Sequence, residues 1–591
     1  MRTAERPQTA TVVFVLLVVA TVAAFFVTQR LKRSAPVIRH VMMPLYISPN
    51  GDGRKDTAVI RFRLPKADDR VTVSMVDANG DEVRRLADRR LSKGRHRFAW
   101  NGRDSSASIL PDGFYYLRVV LGGQGRGTIT RRGIHLLTAK PRPKLLSVSP
   151  GRIHPGGREA VTIKFSGPSR PAPVFSVYRT DAGPPRVVWR FAGAARSTTA
   201  TWDGRIGGRP APAGTYAFAV TVENRALVAG SSPEKLPPSA AEAQPHTGVT
   251  IGGLVAVAPL DAVRAGTGVD ITVGGATGRV RWAITPLGGG RALRRGAGQA
   301  PVLRVAVPPR THTGEYMVRL AAAAGTARVP VAVQGRGASA RVLVVLPAIT
   351  WLGLNPVDDD ADGFPDTLDD SRAVPLARAL AGGHPPVAFG SEVAPLLSFL
   401  SSNGLRYDLT TDIALAAGRG PRFGSYRGVV FAGSERWFTE PLDHRLRAYV
   451  EGGGRVASFG TDALRRTVAL TATELAGPSP PQGTNVLGEE TGPASSAAAP
   501  LVVNPGDTLG LFSGTDGFVG LFTRFEQSRR RVAGTQVAAS AGRDPAHPAF
   551  IAYKLGTGLV VRVGTPQWSR MLSTDTEVAA VTRSLWSLLS R

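Results

Sequence analysis

The sequence contains no cysteine among its 591 residues. This absence excludes a disulfide-stapled scaffold, a metal site built on thiolates and a cysteine nucleophile. Lysine is also scarce, with nine residues, so the formal net charge of +29 is carried mostly by arginines spread along the chain. A nucleic-acid-binding protein more often gathers its basic residues on one segment beside stacking aromatics. We therefore do not expect a nucleic-acid partner, whereas an anionic surface polymer or a protein partner stays open.

One long apolar run lies near the N-terminus. Ala10 to Val27 is apolar apart from two threonines, and eighteen helical residues span about 27 Å, close to the thickness of the hydrocarbon core. We expect a short tail at residues 1–9 and a single transmembrane helix at residues 10–28 that inserts into the lipid bilayer. The alternative is a cleaved signal peptide, although no small-residue cleavage site follows the run.

The charges that flank this expected anchor bear on its orientation in the membrane. Arg2 and Arg6 precede the run, and Arg30, Lys32 and Arg33 follow it, which slightly favours a cytoplasmic C-terminal side. In that alternative, a basic surface would bind anionic lipid or nucleic acid. The domains downstream favour a bacterial cell-membrane protein with the bulk of its chain outside the cytoplasm.

Two turn motifs occur twice, about a hundred residues apart. Residues 100–103 (WNGR) and 111–115 (PDGFY) return as residues 202–205 (WDGR) and 212–216 (PAGTY). The spacing is typical of an immunoglobulin-like β sandwich, so the sequence predicts an internal repeat of that fold. We expect each tryptophan in the core between the sheets and each tyrosine early in the last strand.

These motifs divide the first half of the chain into modules. We predict β sandwiches at residues 40–140 and 141–225, followed by a Pro-rich linker at 226–247. A divergent third sandwich is expected at residues 248–336, where residues 314–316 (GEY) repeat the Gly-x-Tyr signal without the tryptophan motif.

The first module resembles a known family over residues 45–137, where the chain reads SPNGDGRKD and later WNGRD and LPDGFYYLRV. It is similar to the immunoglobulin-like domain of the flagellar hook-capping (FlgD-like) family, and residues 145–222 are similar to it more weakly. The resemblance implies a sandwich fold and no particular ligand. The opening loop offers oxygen atoms at Asn50, Asp52 and Asp56, which is a candidate calcium site, although such residues beside glycine are also ordinary in turns.

The pattern changes after about residue 340. Continuous apolar runs (RVLVVLPA, GVVFAGS, RVASFG and GLVVRVG) alternate with helical stretches, which predicts strands buried on both faces of a mainly parallel sheet. We therefore predict an α/β domain at residues 340–591. A low-complexity stretch rich in Pro, Ser, Ala and Gly is expected to interrupt it at residues 472–500.

An acidic loop follows the first of these strands and places seven aspartates in residues 355–370. Numbered as a calcium-binding loop, it supplies oxygens at positions 1, 3, 5, 7, 9 and 12, with Gly363 at the bend. A bound calcium ion would offset the repulsion between the carboxylates. The alternatives are an acidic turn paired with arginines such as Arg372, or a catalytic metal. The predicted ligands are Asp358, Asp360, Asp362, the backbone of Phe364, Asp366 and Asp369.

The same domain carries a second resemblance. The segments VLPAITWLGLNPVDDDADGFPDTL, VVFAGSERWFT, LRAYVEGGGRVASFGTDAL and KLGTGLVVRVGTPQWSRML together are similar to the C-terminal domain of the large (beta) subunit of the N,N-dimethylformamidase family. The resemblance implies a flavodoxin-like fold, as in class I glutamine amidotransferases, and an ancestry among amide hydrolases. It also implies an iron site with tyrosine and glutamate ligands.

The residues that would perform such chemistry are incomplete. On that comparison Glu435 matches the family, but Arg436 occupies the tyrosine position and Ser434 the histidine position. A cation in place of a phenolate ligand would repel iron. Ser434 also has no histidine and carboxylate linked to it by spacing, as a serine nucleophile needs. The weak catalytic candidates are Glu435, Ser434 and Asn355.

The sequence therefore favours a membrane-anchored recognition or scaffolding protein whose amidase-like domain is non-catalytic and stabilised by calcium. The alternative is a membrane-tethered, metal-dependent amide hydrolase that acts on linear amides. An enzyme should gather Glu435, Asn355 and Trp351 into one partly buried cluster. A recognition protein should instead show Glu435 facing solvent, paired with Arg436 or Arg465.

Overall fold

The computed structural model describes residues 8–32, 36–542, 544 and 547–591. Helix α1 spans Gln8–Lys32, and the chain then forms three β modules and a C-terminal domain that we call the head. Strands hold 42% of the residues and helices 15%. The dominance of strands follows from the alternating apolar pattern of the first 336 residues.

Within the described residues, no helix combines the length and the apolar character that crossing a membrane requires. The predicted transmembrane anchor at residues 10–28 was therefore wrong, and so was the cell-membrane location derived from it.

The first β module consists of two packed sheets. Three strands, in the order β1-β3-β6, face five strands in the order β2-β9-β7-β4-β5, with β8 paired to β7. The alternating exposure of β3 places its apolar residues in the core between the sheets. The strands are β1 (Arg39–Met42), β2 (Tyr46–Ile47), β3 (Ala58–Leu64), β4 (Asp68–Val76), β5 (Glu82–Leu91), β6 (Gly94–Trp100), β7 (Gly113–Leu121), β8 (Arg126–Ile129) and β9 (Ile134–Leu136).

The second β module repeats this arrangement. Its sheets have the orders β10-β12-β15 and β11-β20-β18-β13-β14, with β19 paired to β18. Strands β19 and β20 lie in or just after the predicted linker and complete this sandwich. The strands are β10 (Lys144–Ser149), β11 (Arg152–Ile153), β12 (Val161–Ser166), β13 (Val174–Arg179), β14 (Arg186–Ala192), β15 (Thr199–Trp202), β16 (Arg205–Ile206), β17 (Arg209–Pro210), β18 (Gly214–Glu223), β19 (Ala229–Ser232) and β20 (Gly248–Ile251).

The third β module has the same two-sheet plan, with the orders β21-β23-β26 and β22-β28-β27-β24-β25. Its core contains Trp282, although the WxGR motif of the other modules is missing. The strands are β21 (Val255–Ala256), β22 (Val263–Arg264), β23 (Gly268–Gly274), β24 (Arg279–Pro286), β25 (Arg294–Gln299), β26 (Val302–Ala306), β27 (Gly314–Ala322) and β28 (Gly325–Gln334).

One tyrosine hydrogen bond recurs in all three modules. The hydroxyl groups of Tyr115, Tyr216 and Tyr316 donate to the carbonyl oxygen four residues earlier, at 2.8, 2.7 and 3.0 Å. This bond is the tyrosine corner of immunoglobulin-like sandwiches. The Gly-x-Tyr signal therefore marks the same structural position in each module.

The head is built on a nine-stranded sheet with the order β31-β29-β32-β34-β42-β41-β40-β38-β39. Its first five strands are parallel, and the others pair antiparallel. The strands are β29 (Val342–Leu346), β30 (Ala373–Pro375), β31 (Asp408–Thr411), β32 (Gly428–Phe431), β33 (Trp437–Phe438), β34 (Arg455–Ser458), β35 (Arg466–Thr467), β36 (Ala469–Leu470), β37 (Glu474–Ala476), β38 (Glu489–Val503), β39 (Phe518–Arg531), β40 (Gln536–Ala541), β41 (Pro548–Leu555) and β42 (Gly558–Val563). The helices are α2 (Ala348–Gly353), α3 (Ala394–Ser402), α4 (Asp412–Ala416), α5 (Glu440–Glu451), α6 (Trp568–Met571) and α7 (Thr576–Ser590).

The prediction of a flavodoxin-like α/β domain was wrong. The sheet is mixed, and the long connection from β34 to β42 contains strands instead of a single crossover helix. Part of the predicted low-complexity stretch explains the difference, because from residue 489 it forms β38, a strand of fifteen residues. It pairs with β39 through an irregular ladder, which composition alone did not reveal.

Candidate functional site

The acidic loop lies after α2 and brings three of its predicted ligands together. Oxygen atoms of Asp358, Asp360 and Asp366 all lie within 4.8 Å of one another, and the three residues are half-buried. Carboxylate oxygens at this separation match the ligands that calcium prefers. Of the six predicted calcium ligands, these three form the cluster.

Backbone N–H groups of the loop turn toward the same carboxylates. Asp358 accepts hydrogen bonds from the backbone nitrogens of Asp362 (3.1 Å) and Gly363 (3.0 Å), and Asp362 accepts one from Phe364 (2.7 Å). Gly363 has a φ of +92°, a conformation that L side chains rarely adopt. The glycine at this bend is therefore required by the backbone.

The loop concentrates negative charge in a partly dry environment. Burial, together with the neighbouring carboxylates, raises the pKa of Asp358 and of Asp362 to about 7. Removing a carboxylate from water disfavours its charged form, and like charges add to that cost. A cation among these oxygens would lower the free energy of the ionised loop.

Two arginines hold two of the other aspartates of the loop. Asp369, the predicted last ligand, forms an ion pair of 2.6 Å with Arg436. Asp359 forms one of 2.7 Å with Arg378, whose side chain is 1% exposed. Arg378 also donates to the carbonyl oxygens of Leu352 and Val357. These arginines fix the outer edge of the loop and take Asp369 away from the cluster.

The acidic loop also forms the contact between the head and the second β module. The backbone nitrogens of His246 and Gly248 donate to the carbonyl oxygens of Asp360 (2.9 Å) and Ala361 (2.7 Å). A Cβ atom on Gly363 would lie 2.6 Å from the carbonyl oxygen of Tyr216. The acidic loop therefore hydrogen-bonds directly to the second β module.

The second candidate calcium loop lies between the first two modules. The carboxylate of Asp56 accepts backbone hydrogen bonds from Gly51 and Gly53, both at 2.8 Å, and Asn50 donates to Asp52 at 3.0 Å. Arg54, within the same loop, forms an ion pair of 2.6 Å with Glu223 of the second module. The loop is thus an internally bonded turn that joins two modules.

The weak catalytic candidate Glu435 is fully buried beside a second carboxyl, that of Asp412. Asp412 accepts hydrogen bonds from the backbone nitrogens of Ile349 (3.0 Å) and Ile413 (2.7 Å). Burial raises the pKa of Glu435 well above its ordinary range and that of Asp412 to about 7. Ionised, neither oxygen of Glu435 has a donor. The neutral, protonated form of Glu435 is therefore favoured in the folded protein.

The expected pairing of Glu435 with Arg436 or Arg465 does not occur. Arg436 turns outward to Asp369 and to Asp462, at 2.9 Å, and Arg465 pairs with Asp462 at 2.9 Å. Consecutive side chains on this extended segment point to opposite sides. Glu435 therefore faces the interior beneath α2.

The other two catalytic candidates are held by different neighbours. The hydroxyl of Ser434 donates to Glu392 at 3.0 Å, and the side chain of Asn355 bonds to the backbone of Ala379 (2.8 Å) and Ala381 (2.9 Å). No partly buried cluster of Glu435, Asn355 and Trp351 forms around an open site in the described part of the chain. Gly460 covers the segment, because a Cβ atom there would overlap the carbonyl carbon of Gly433.

Two parts of the chain match known families. Residues 48–125 match the family model for the FlgD Ig-like domain, and residues 297–479 match the one for the N,N-dimethylformamidase beta subunit-like C-terminal domain. Both resemblances seen in the sequence are thereby confirmed. The second match begins within the third β module and ends before β38, so it covers a shorter part of the head than the sequence suggested. The chain is a multidomain protein that combines FlgD Ig-like and dimethylformamidase-like domains.

No curated protein matches this chain. Similar solved structures include the β-galactosidases of Rahnella sp. R3 (16% identity, TM-score 0.24, 33% of this chain and 26% of that one) and of Bacillus circulans sp. alkalophilus (14%, 0.27, 42% and 31%). Another is Sidekick-1 immunoglobulin domains 1–5 (14%, 0.20, 50% and 59%). The chain thus covers about a third or less of the lengths of both β-galactosidases.

Sequence reasoning missed the residues that surround each candidate. Asp412, Glu392 and Arg378 are all buried and contact predicted site residues. Asp412 and Glu392 lie between predicted strands, and each carries one charge in an otherwise apolar segment. A buried charge without a local partner was the available signal.

Proposed function

We propose that this chain is a recognition or scaffolding protein in which calcium bound by the acidic loop fixes the head against the second β module. One observation carries the proposal. The loop that clusters Asp358, Asp360 and Asp366 is the same loop that hydrogen-bonds to the second module through Asp360 and Ala361. A cation there would couple metal binding to the relative position of two domains.

Glu435 is buried, whereas a recognition protein was expected to show it facing solvent, but its closed surroundings still support a non-catalytic head. Its carboxyl is fully buried against Asp412, so a substrate would have to displace the packing of α2 to reach it. Arg436, in the position of the family's tyrosine ligand, pairs with two aspartates. An arginine held there opposes a bound iron ion by charge repulsion.

The net charge of +29 favours an anionic polymer or an acidic protein surface as the partner.

The three sandwiches supply the length of a scaffold, and their cores are independent clusters. Each can therefore remain folded while its outer surface binds.

The test is calcium content and thermal unfolding of the full chain, on wild type and on Asp360→Asn with Asp366→Asn. We expect one calcium per chain in wild type and none in the variant. At a hundredfold excess over Kd, calcium should stabilise wild type by about 2.7 kcal/mol. In chelator, the variant should unfold at the same temperature as wild type or higher, because the repulsion is reduced.

The matched control is Asp370→Asn, an exposed aspartate of the same loop that bonds to Thr367, which should bind calcium as wild type does. If calcium does not change the unfolding temperature of either wild type or the control, the calcium proposal is overturned. One iron or zinc per chain, retained in the variant, would instead support a metal-dependent amide hydrolase.

A further inference from the structure

A hydrogen-bonded chain of serine, histidine and aspartate lies at the far edge of the head. The hydroxyl of Ser495 is 2.6 Å from Nε2 of His547, and Nδ1 of His547 is 2.7 Å from a carboxylate oxygen of Asp544. Ser495 belongs to β38, and His547 immediately precedes β41. Both ring nitrogens of the histidine are therefore engaged, one by the serine and the other by the carboxylate.

The backbone of a tight connection fixes the histidine and the aspartate. Between β40 and β41, the nitrogen of Ala541 donates to the carbonyl oxygen of His547 (2.9 Å), and that of His547 donates to the carbonyl oxygen of Asp544 (3.1 Å). These bonds tie the backbone of His547 to Asp544 and to the end of β40. The imidazole is consequently held in one orientation relative to β38.

The strand that carries the serine is irregular on both sides of it. The pairing of β38 with β39 shifts register between Thr491 and Ala494 and again between Ser496 and Ala499. Such bulges re-aim side chains and are frequent beside active sites. The side chain of His547 is 13% exposed and that of Asp544 is 50% exposed, and Ser495 is half-buried. The hydroxyl is thus near the surface while its base is largely shielded.

We propose that Ser495 is the nucleophile, His547 the general base and Asp544 a positioning residue for hydrolysis of small carboxylic esters. The connectivity is that of a serine hydrolase, in which the carboxylate sets the tautomer of the histidine. This activity goes beyond the recognition role. It uses no residue of the acidic loop or of the Ser434 segment.

The reaction balances without a cofactor. The Ser495 oxygen attacks the ester carbonyl as His547 Nε2 takes the hydroxyl proton, and collapse of the intermediate breaks the bond to the leaving alkoxide, which receives that proton. Water, deprotonated by the same nitrogen, then attacks the acyl-serine and releases a carboxylic acid and the free hydroxyl.

The first experiment labels the full chain with a fluorophosphonate and follows hydrolysis of p-nitrophenyl acetate. We expect one adduct per chain at Ser495 and a rate that falls by about 100-fold or more in Ser495→Ala and in His547→Gln. Ser496→Ala, which changes the exposed neighbour, should keep both labelling and rate. Asp544→Asn should lower the rate and change its pH profile.

A second measurement uses the absence of cysteine from the chain. In Ser495→Cys the new thiol is the only one present, so its alkylation by iodoacetamide reports on that position alone. If His547 acts as a base, alkylation near pH 6.5 should be at least about 10-fold faster than in Ser496→Cys, and adding His547→Gln should remove the difference. Equal alkylation rates, together with no adduct at Ser495 in the native chain, would overturn the proposal.

Discussion

Arg436 and Asp369 form an ion pair of 2.6 Å that joins the two predicted functional regions of the head. The resemblance to the dimethylformamidase family places Arg436 where a tyrosine ligand was expected, and Asp369 is the last predicted calcium ligand. The pair ties the acidic loop to the segment after β32. A single arginine therefore removes one ligand from each predicted metal site while it stabilises the contact between them.

Replacing Arg436 should measure how much its ion pairs contribute to the free energy of unfolding. Arg436→Met should lower the free energy of unfolding by about 1–3 kcal/mol, since the side chain is partly exposed and pairs with two aspartates. Urea unfolding of the full chain provides the measurement. Arg372→Met, at an exposed arginine nearby, should change stability by less than about 0.5 kcal/mol. Equal losses in the two variants would contradict the role given to Arg436.

The Glu435–Asp412 pair predicts a pH dependence of stability. Both pKa values are raised in the folded protein, to about 7 for Asp412 and further for Glu435. In the unfolded chain a carboxyl releases its proton near pH 4, whereas in the folded protein these two carboxyls keep theirs to about pH 7 or above. Raising the pH through this range therefore favours the unfolded state. The pair's contribution is therefore greatest in acid and declines toward neutral and alkaline pH.

Glu435→Gln should weaken this decline, because a buried amide stays neutral and does not titrate. We expect the variant to be more stable relative to wild type at pH 8 than at pH 5, as measured by guanidinium unfolding at both values. Glu440→Gln, at an exposed residue beginning α5, serves as the control. A pH profile unchanged by Glu435→Gln would show that burial does not raise the pKa of Glu435 in the folded protein.

Gly363→Ala should disturb the contact between the head and the second module. Alanine is strained at the positive φ of this position, and its Cβ atom would also lie 2.6 Å from the Tyr216 carbonyl oxygen. Gly404 also has a positive φ, of +69°, but no atom lies within 4 Å of a Cβ atom added there. Gly404→Ala therefore measures the backbone cost alone, about 1 kcal/mol. We expect Gly363→Ala to cost about 2–4 kcal/mol in urea unfolding and to increase the radius of gyration by small-angle scattering. Equal costs for the two variants would argue against a tight interdomain contact.

The tyrosine corners should contribute similarly to the three modules. Tyr216→Phe and Tyr316→Phe each remove a buried hydroxyl and leave the carbonyl oxygen of Pro212 or His312 without that donor, at a cost of about 1–2 kcal/mol. In Tyr116→Phe, the hydroxyl lost makes no hydrogen bond within the described residues, so a smaller effect is expected. Thermal unfolding of each variant, with transitions assigned by module, tests whether the repeated motif has one structural role.

Local motifs carried much of the β architecture. The two tryptophan motifs placed the cores of the first two sandwiches, because turns and alternating strands depend on neighbouring residues. The tyrosines of those modules lie near the start of β7 and β18, which further strands follow, so their predicted place in the last strand was wrong. The head was predicted less well. The small, polar composition of residues 489–500 gave no apolar period, yet pairing with β39 and β40 makes them a strand. Strand formation there depends on partners distant in sequence.

The sequence by itself determined the repeated sandwiches, the two family resemblances and the spacing of aspartates in the acidic loop, since each is written in residues close together along the chain. Only the tertiary structure decided which partners those residues meet. It set Glu435 against Asp412, Asp369 against Arg436 and Ser495 against His547. Burial and contact between distant segments fix protonation and pairing, and no local pattern encodes them.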